Sequence, residues 1–389
     1  MDFALTEDQL LIRDAAEDFL RDASDSAAVR AAMASAHGFD ERVWQRISRE
    51  LGWCATAIPE RYDGLGLGMV ELILLLEQMG RRLLCSPFFS TATLGATLLN
   101  EVATEAACQR LLPGVAGGAL RVSAPLPSAA DDFAAGVANL QARRESGGWV
   151  LKGACDAMVD AVSSDWLLLL ARVEGENSIG MFAVPSGASG LQVECLQTWD
   201  RTRRLARVEC SKVAVTAEAR IDDVARAAQG WLRAAALARL ALAAEQLGAA
   251  QQCLDLTVAY TSERRQFGRA IASFQAVKHR CAEMMVRIEA LRSAVYGTAA
   301  FAAGEMGTDV LAVECAATKA LASDTLFWCA QETIQLHGGV GFTWEYDPQL
   351  YFKRAQSSSH WLGSAEALRE RVAIALIDGM SGAETLVCA

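Results

Sequence analysis

The sequence predicts a mainly helical chain in three parts: a helical N-terminal domain, a compact β domain, and a C-terminal bundle of long helices. Three observations predict it. Apolar residues recur with a period of about 3.6 in the first section and again in the last. Between them the pattern breaks into short apolar runs bounded by Gly, Ser and Asp. The length of 389 residues suits two or three domains. The sections read as 1–118, 119–222 and 223–389.

In the first section, Leu5, Leu10, Ile12, Ala16, Phe19 and Leu20 form a helical stripe, and Thr6 with Gln9 resembles a capping box. Val43–Leu51 and Met69–Leu84 carry further helices. Pro59 to Gly68 reads as a loop from its Pro and Gly content. The middle section carries strands around Trp149–Leu151, Trp166–Leu170, Gly180–Val184 and Ala206–Cys210, with turns at Gly147-Gly148 and Ser186-Gly187. The last section holds long helices over Val224–Glu263, Phe274–Gly304 and Asp309–Leu336, closed by Leu362–Asp378. Long helices with short connections pack as an antiparallel bundle.

Composition excludes several functions. Apolar residues make up 52% and prolines number 7, so the chain is neither disordered nor collagen-like. A net charge of -11 without any basic run argues against nucleic acid. No apolar stretch approaches the roughly 20 residues that span a bilayer. Glu7 and Asp8 precede any basic residue, the reverse of a secretory leader. The 11 cysteines, odd in number and never at C-x-x-C spacing, predict reduced thiols and a cytoplasmic protein. His37, His279, His337 and His360 share no ligand spacing, so no metal is expected. Rossmann, P-loop and G-x-S-x-G signatures are absent.

Two clusters remain. Tyr260 to Arg269 ends a long helix with Arg264, Phe267 and Gly268; an arginine there can cap carbonyls or bind an anion. Gln335 to Phe342 holds Gly338, Gly339 and Gly341, whose bare backbone can approach a phosphate or simply end a helix.

Taken together these residues resemble the acyl-CoA dehydrogenase family. That family writes R-x-x-F-G, then F-Q, then Q-x-x-G-G-x-G-(F/Y). Here they stand as Arg264, Phe267-Gly268, Phe274-Gln275 and Gln335–Phe342. Leu51-Gly52-Trp53 through Gly66 and Trp199-Asp200-Arg201-Thr202-Arg203 resemble further family segments, so the likeness spans the chain. It implies a middle β-barrel and a C-terminal four-helix bundle, with FAD as cofactor and an acyl-CoA as substrate. In the family the flavin lies between the β domain and the C-terminal helices, with its adenosine end in a neighbouring subunit. Arg264, Phe267, Gln275, Gln335, Gly338, Gly339 and Gly341 would be that adenine and pyrophosphate half-site. The other half departs from the pattern. Where the family has T-E-P-x-x-G-S-D, Pro125–Asp132 agrees only at Pro127 and Asp132. Where it has W-I-T-N, Ala157-Met158-Val159-Asp160 stands.

The reaction needs a carboxylate to take the α-proton while the β-hydrogen leaves as hydride. Leu362 occupies the place of the family's C-terminal Glu, and Ala238 that of an alternative Glu on the first bundle helix. Glu245, two turns beyond Ala238 on an almost wholly apolar stretch, is the candidate catalytic base; burial raises such a pKa. Glu245 equally suits an ion pair across the bundle, and Glu366 is a second candidate. Small residues around Glu245 suggest room for a wide acyl group.

Two functions follow from the resemblance. One is an FAD-dependent acyl-CoA dehydrogenase that desaturates an acyl-CoA and passes electrons to an electron-transfer flavoprotein, a step of β-oxidation, as a homotetramer. The other is a catalytically weak partner subunit of an α2β2 enzyme, supplying the adenine and pyrophosphate half-site to a related chain.

Overall fold

Thr6 caps the first helix as its sequence suggests: its hydroxyl accepts from the Gln9 backbone N–H, and the Gln9 side chain accepts from the Thr6 N–H. The computed structural model describes residues 5–126, 139–145, 147–176, 178–304 and 307–378. The first domain holds α1 (Glu7–Ala23), α2 (Ser26–Ala34), α3 (Glu41–Gln45), α4 (Met69–Arg81), α5 (Ala96–Val102) and α6 (Glu105–Ala116). The helix expected over Val43–Leu51 splits into α3 and a π-turn at Arg46–Glu50. A second π-turn, Phe89–Gly95, runs into α5 and is wholly buried.

The middle domain holds β1 (Val122–Ser123), β2 (Leu140–Glu145), β3 (Gly148–Val159), β4 (Trp166–Val173), β5 (Ile179–Pro185), β6 (Leu191–Cys195) and β7 (Leu205–Thr216). They form one sheet in the order β1-β4-β2-β3-β7-β6, with β5 also paired to β4. The expected barrel is therefore corrected to an open half-barrel. Among the described residues β6 pairs only with β7, and no strand joins it to β1 or β5. The physical reason lies in the edges. β6 is solvent-facing, with Gln192 and Glu194 on a five-residue strand that contributes no buried residue. Charged, short edges resist further pairing.

The C-terminal section holds α7 (Ala227–Glu263), a small hairpin of β8 (Arg265–Gln266) and β9 (Arg269–Ala270), then α8 (Gln275–Ala302), α9 (Thr308–His337), α10 (Pro348–Ser358) and α11 (Ala365–Asp378). α7 is the central post, with nearly every residue from Ala234 to Ala250 buried. Its glycine lets another helix in. A Cβ on Gly248 would lie 1.7 Å from the Glu77 carbonyl oxygen of α4, and one on Gly80 would lie 1.9 Å from the Glu245 carbonyl oxygen. The small-residue strip of α7 is thus a groove for α4. Ala234–Ala236, Ala241, Ala243 and Ala244, which suggested room for a wide acyl group, are all packed in the core. Short α10 escaped the sequence reading, because Pro348 opens it and its pattern mixes polar with apolar.

Candidate functional site

α7, α8 and α9 run up, down and up, so the end of α7, the start of α8 and the end of α9 share one end of the bundle. After α7, Arg264 turns into extended backbone, and the two-strand hairpin pairs Arg265 with Ala270 and Gln266 with Arg269. Its two turn residues, Phe267 (φ 53°) and Gly268 (φ 78°), both take positive φ, as a tight hairpin turn of this length requires. Glycine does so freely; phenylalanine does not, and strain of this kind collects at ligand clamps. Phe267 is 91% exposed, so little of its ring is packed within this chain. It meets Phe274 edge-on at 6.2 Å, and the Arg269 guanidinium covers the Phe274 ring at 4.0 Å.

The second segment follows α9. Gly338 turns the chain with φ 66° and ψ -145°, a conformation open essentially to glycine alone. A Cβ on Gly338 or Gly339 would meet nothing within 4 Å, so the backbone there is bare. Gly341 differs. It is buried, and a Cβ there would press on the Ile334 carbonyl oxygen at 3.0 Å, so packing against the helix end explains it. The Tyr260 ring stacks on the His337 ring at 4.3 Å and joins the two segments. His337 Nδ1–H donates to the Thr333 carbonyl at 2.7 Å, and burial holds its pKa below the usual imidazole range. Of the predicted half-site, Arg264, Phe267, Gln275, Gln335, Gly338 and Gly339 are all exposed at this end.

The crevice between the sheet and the bundle is filled with charge. In the loop between β6 and β7, Asp200 Oδ1 accepts the Thr202 backbone N–H at 2.9 Å, an Asx turn that presents Arg203 to the bundle. Arg203 grips Glu245 with both terminal nitrogens, at 2.5 and 3.1 Å. Arg354 of α10 donates to Glu245 Oε1 at 2.9 Å, Asp200 Oδ2 at 2.9 Å and Thr202 Oγ1 at 2.6 Å. The Arg203 guanidinium lies over Phe89 at 4.7 Å and Trp361 at 5.6 Å. Asp160, at the end of β3, accepts from the Ser90 hydroxyl at 3.0 Å. Burial pushes its carboxyl up to about 6, against the downward pull of Arg203 and Ser90.

The place of the family's C-terminal Glu is equally closed. Leu362 is fully buried with φ 60°, and its carbonyl accepts from Arg239 Nε at 2.9 Å. Lys319 Nζ donates to the carbonyls of Ser359 and Gly363 at 2.8 and 2.7 Å, and burial lowers its pKa to about 7. No basic residue lies within one turn of Glu245 on α7. Arg203 and Arg354 arrive instead from distant segments and engage both carboxylate oxygens in charge-assisted hydrogen bonds. Glu245 thus stands in an ion pair across domains, the alternative its apolar helix had left open. Glu366 stands in the first turn of α11.

FAD fits half of these residues. The bundle end offers a guanidinium, an exposed ring and bare amides suited to a diphosphate and adenine. The ring side does not fit: Met158, Val159 and Leu362 are fully buried in the chain's own packing. Pro127 and Asp132 lie outside the described residues. Among those residues no group of His, Cys, Asp and Glu could hold a metal. Among the described residues no helix is long and apolar enough to cross a membrane.

A helical N-terminal domain, an open sheet and a long-helix bundle with such an end define an acyl-CoA dehydrogenase type of flavoprotein. Family models agree: residues 6–119 match the acyl-CoA dehydrogenase N-terminal domain and residues 229–377 its C-terminal domain. The chain belongs to the acyl-CoA dehydrogenase family, FAD-dependent oxidoreductases acting on CH–CH bonds. It is 32% identical over 94% of its length to the acyl-CoA dehydrogenase IpdE2 of Mycobacterium tuberculosis, covering 96% of that protein. It is similar to a chain of the Tcur3481-Tcur3483 steroid ACAD, with 29% identity, a TM-score of 0.85 and coverage of 97% and 99%. Butyryl-CoA dehydrogenase from Megasphaera elsdenii shares the fold, with TM-score 0.87, 23% identity and coverage of 97% and 100%.

Proposed function

We propose that this chain is the partner subunit of a heteromeric acyl-CoA dehydrogenase. It supplies the adenine and pyrophosphate half-site to an FAD whose ring, together with the catalytic base, belongs to a related chain. The observation that carries this reading is the strained, 91% exposed Phe267 beside Arg264 and the open Gly338-Gly339 backbone. These groups face outward, where a neighbouring subunit would bring the cofactor. Arg264 then binds diphosphate oxygens, the glycine amides donate to them, and Phe267 packs on the adenine. FAD, when bound, supplies the hydride acceptor. The α-proton goes to a carboxylate of the related chain, because Leu362 cannot accept one and Glu245 is held by Arg203 and Arg354.

The product is a trans-2-enoyl-CoA, with electrons passing to an electron-transfer flavoprotein. The likeness to a steroid ACAD favours an acyl group attached to a bulky ring system. The test is expression of the chain alone and together with a related chain, with flavin measured spectroscopically. The reading expects a colourless chain alone and a yellow pair whose flavin bleaches with acyl-CoA. Stoichiometric flavin in the single chain, bleached by substrate, would favour the self-sufficient homotetramer instead.

A further inference from the structure

The charges in the crevice join three parts of the molecule. Phe89 and Ser90 come from the first domain; Asp160, Asp200, Thr202 and Arg203 come from the middle one; Glu245, Arg354 and Trp361 come from the bundle. Every one of these residues is buried, and both Glu245 oxygens are bonded. Removing two ions from water costs several kcal/mol each unless geometry and hydrogen bonds compensate. Here a bidentate arginine and a second guanidinium meet one carboxylate, and Asp200 completes the second guanidinium. The segment in place of the family's W-I-T-N, 157–160, and the one in place of its C-terminal Glu, 361–364, both border this cluster.

We infer that Arg203, Glu245 and Arg354 form a standing ionic latch in the place where a flavin ring would lie. It locks the middle sheet to the bundle, so the chain closes its crevice with its own side chains and takes neither isoalloxazine nor thioester there. This deepens the reading above by assigning the ring to the other chain, yet it concerns contacts within one chain. It therefore stands or falls without reference to Arg264.

The experiment uses the full chain on its own. Glu245→Gln leaves two guanidiniums facing a neutral amide, and the latch expects Tm to fall by about 5 °C. Arg203→Lys keeps the charge and loses the bidentate fork, so its Tm falls by less. Should Glu245→Gln fail to fold, Arg203→Lys and the wild-type chain decide. In the wild type, amides at 200–204 and 361–363 should fall in the slowest class of hydrogen exchange and stay there when FAD is added. A Glu245→Gln or Arg203→Lys chain that melts with the wild type would overturn the latch. So would FAD that raises the wild-type Tm and alters exchange in those two segments. If the latch passes while FAD binding by the heteromer ignores Arg264, the half-site reading alone has failed.

Discussion

The ring of Tyr260 lies on the ring of His337, centroids 4.3 Å apart and nearly parallel. One stack thus ties the end of α7 to the end of α9, four residues before Arg264 and immediately before Gly338. Tyr346 closes on the same pair, its ring 6.1 Å from Tyr260. An arginine on a hairpin and glycines on a helical turn gain a fixed relation from it, which is what a rigid diphosphate clamp requires.

Loss of this stack should therefore loosen the glycine corner before it unfolds the bundle. Tyr260→Leu keeps apolar bulk and is expected to cost about 1 kcal/mol, the value of an aromatic pair beyond its buried area. Hydrogen exchange should quicken at 338–342 while the core of α7 stays protected. Equal exchange in both proteins would deny the stack its positioning role.

Two glycines separate packing from binding. Gly248→Ala drives a Cβ against the Glu77 carbonyl, with backbone on both sides, and should destabilise the chain by about 3 kcal/mol. Gly339→Ala meets nothing within 4 Å and should leave urea unfolding within about 0.5 kcal/mol of wild type. In the heteromer the same methyl group would stand where phosphate oxygens approach, and FAD affinity should fall. If Gly339→Ala unfolds the chain, its openness has been misjudged.

Asp160 gives stability a pH dependence of definite sign. Its folded pKa, raised by burial to about 6, lies above the ordinary 3.8. The stability it contributes is therefore fully present below pH 3.8 and lost as pH rises through about 6. The change is of order 3 kcal/mol. Asp160→Asn keeps an acceptor for Ser90 and tolerates the φ of 56°. Urea unfolding should show the variant gaining on the wild type between about pH 4 and pH 7, and parallel curves would contradict this.

Much of this architecture was legible in the sequence. The capping box at Thr6, the long helices ending at Glu263 and near His337, and the strands at Trp149 and Trp166 follow from local pattern, and local pattern is what periodicity reports. The bend at Phe267-Gly268 and the glycine turn at Gly338 were legible for the same reason, since each motif is contiguous. The latch was not. Glu245 meets partners 42 and 109 residues away, and nothing in an Ala-rich helix says which arginine will reach it. Its best clue was the charged run Asp200 to Arg204 just before the last strand of the sheet domain. Barrel closure failed to be predicted correctly because it depends on how edge strands meet, and no strand sequence states that alone.

The most direct measurement is the FAD affinity of the assembled heteromer carrying Arg264→Ala in this chain and wild-type residues in the related one. The Arg264 side chain is exposed, and alanine keeps the backbone N–H that caps α7, so assembly by sedimentation should be unchanged. Losing a charge-assisted contact to diphosphate predicts roughly 10- to 100-fold weaker FAD binding. Wild-type FAD affinity in that assembled variant would contradict the account.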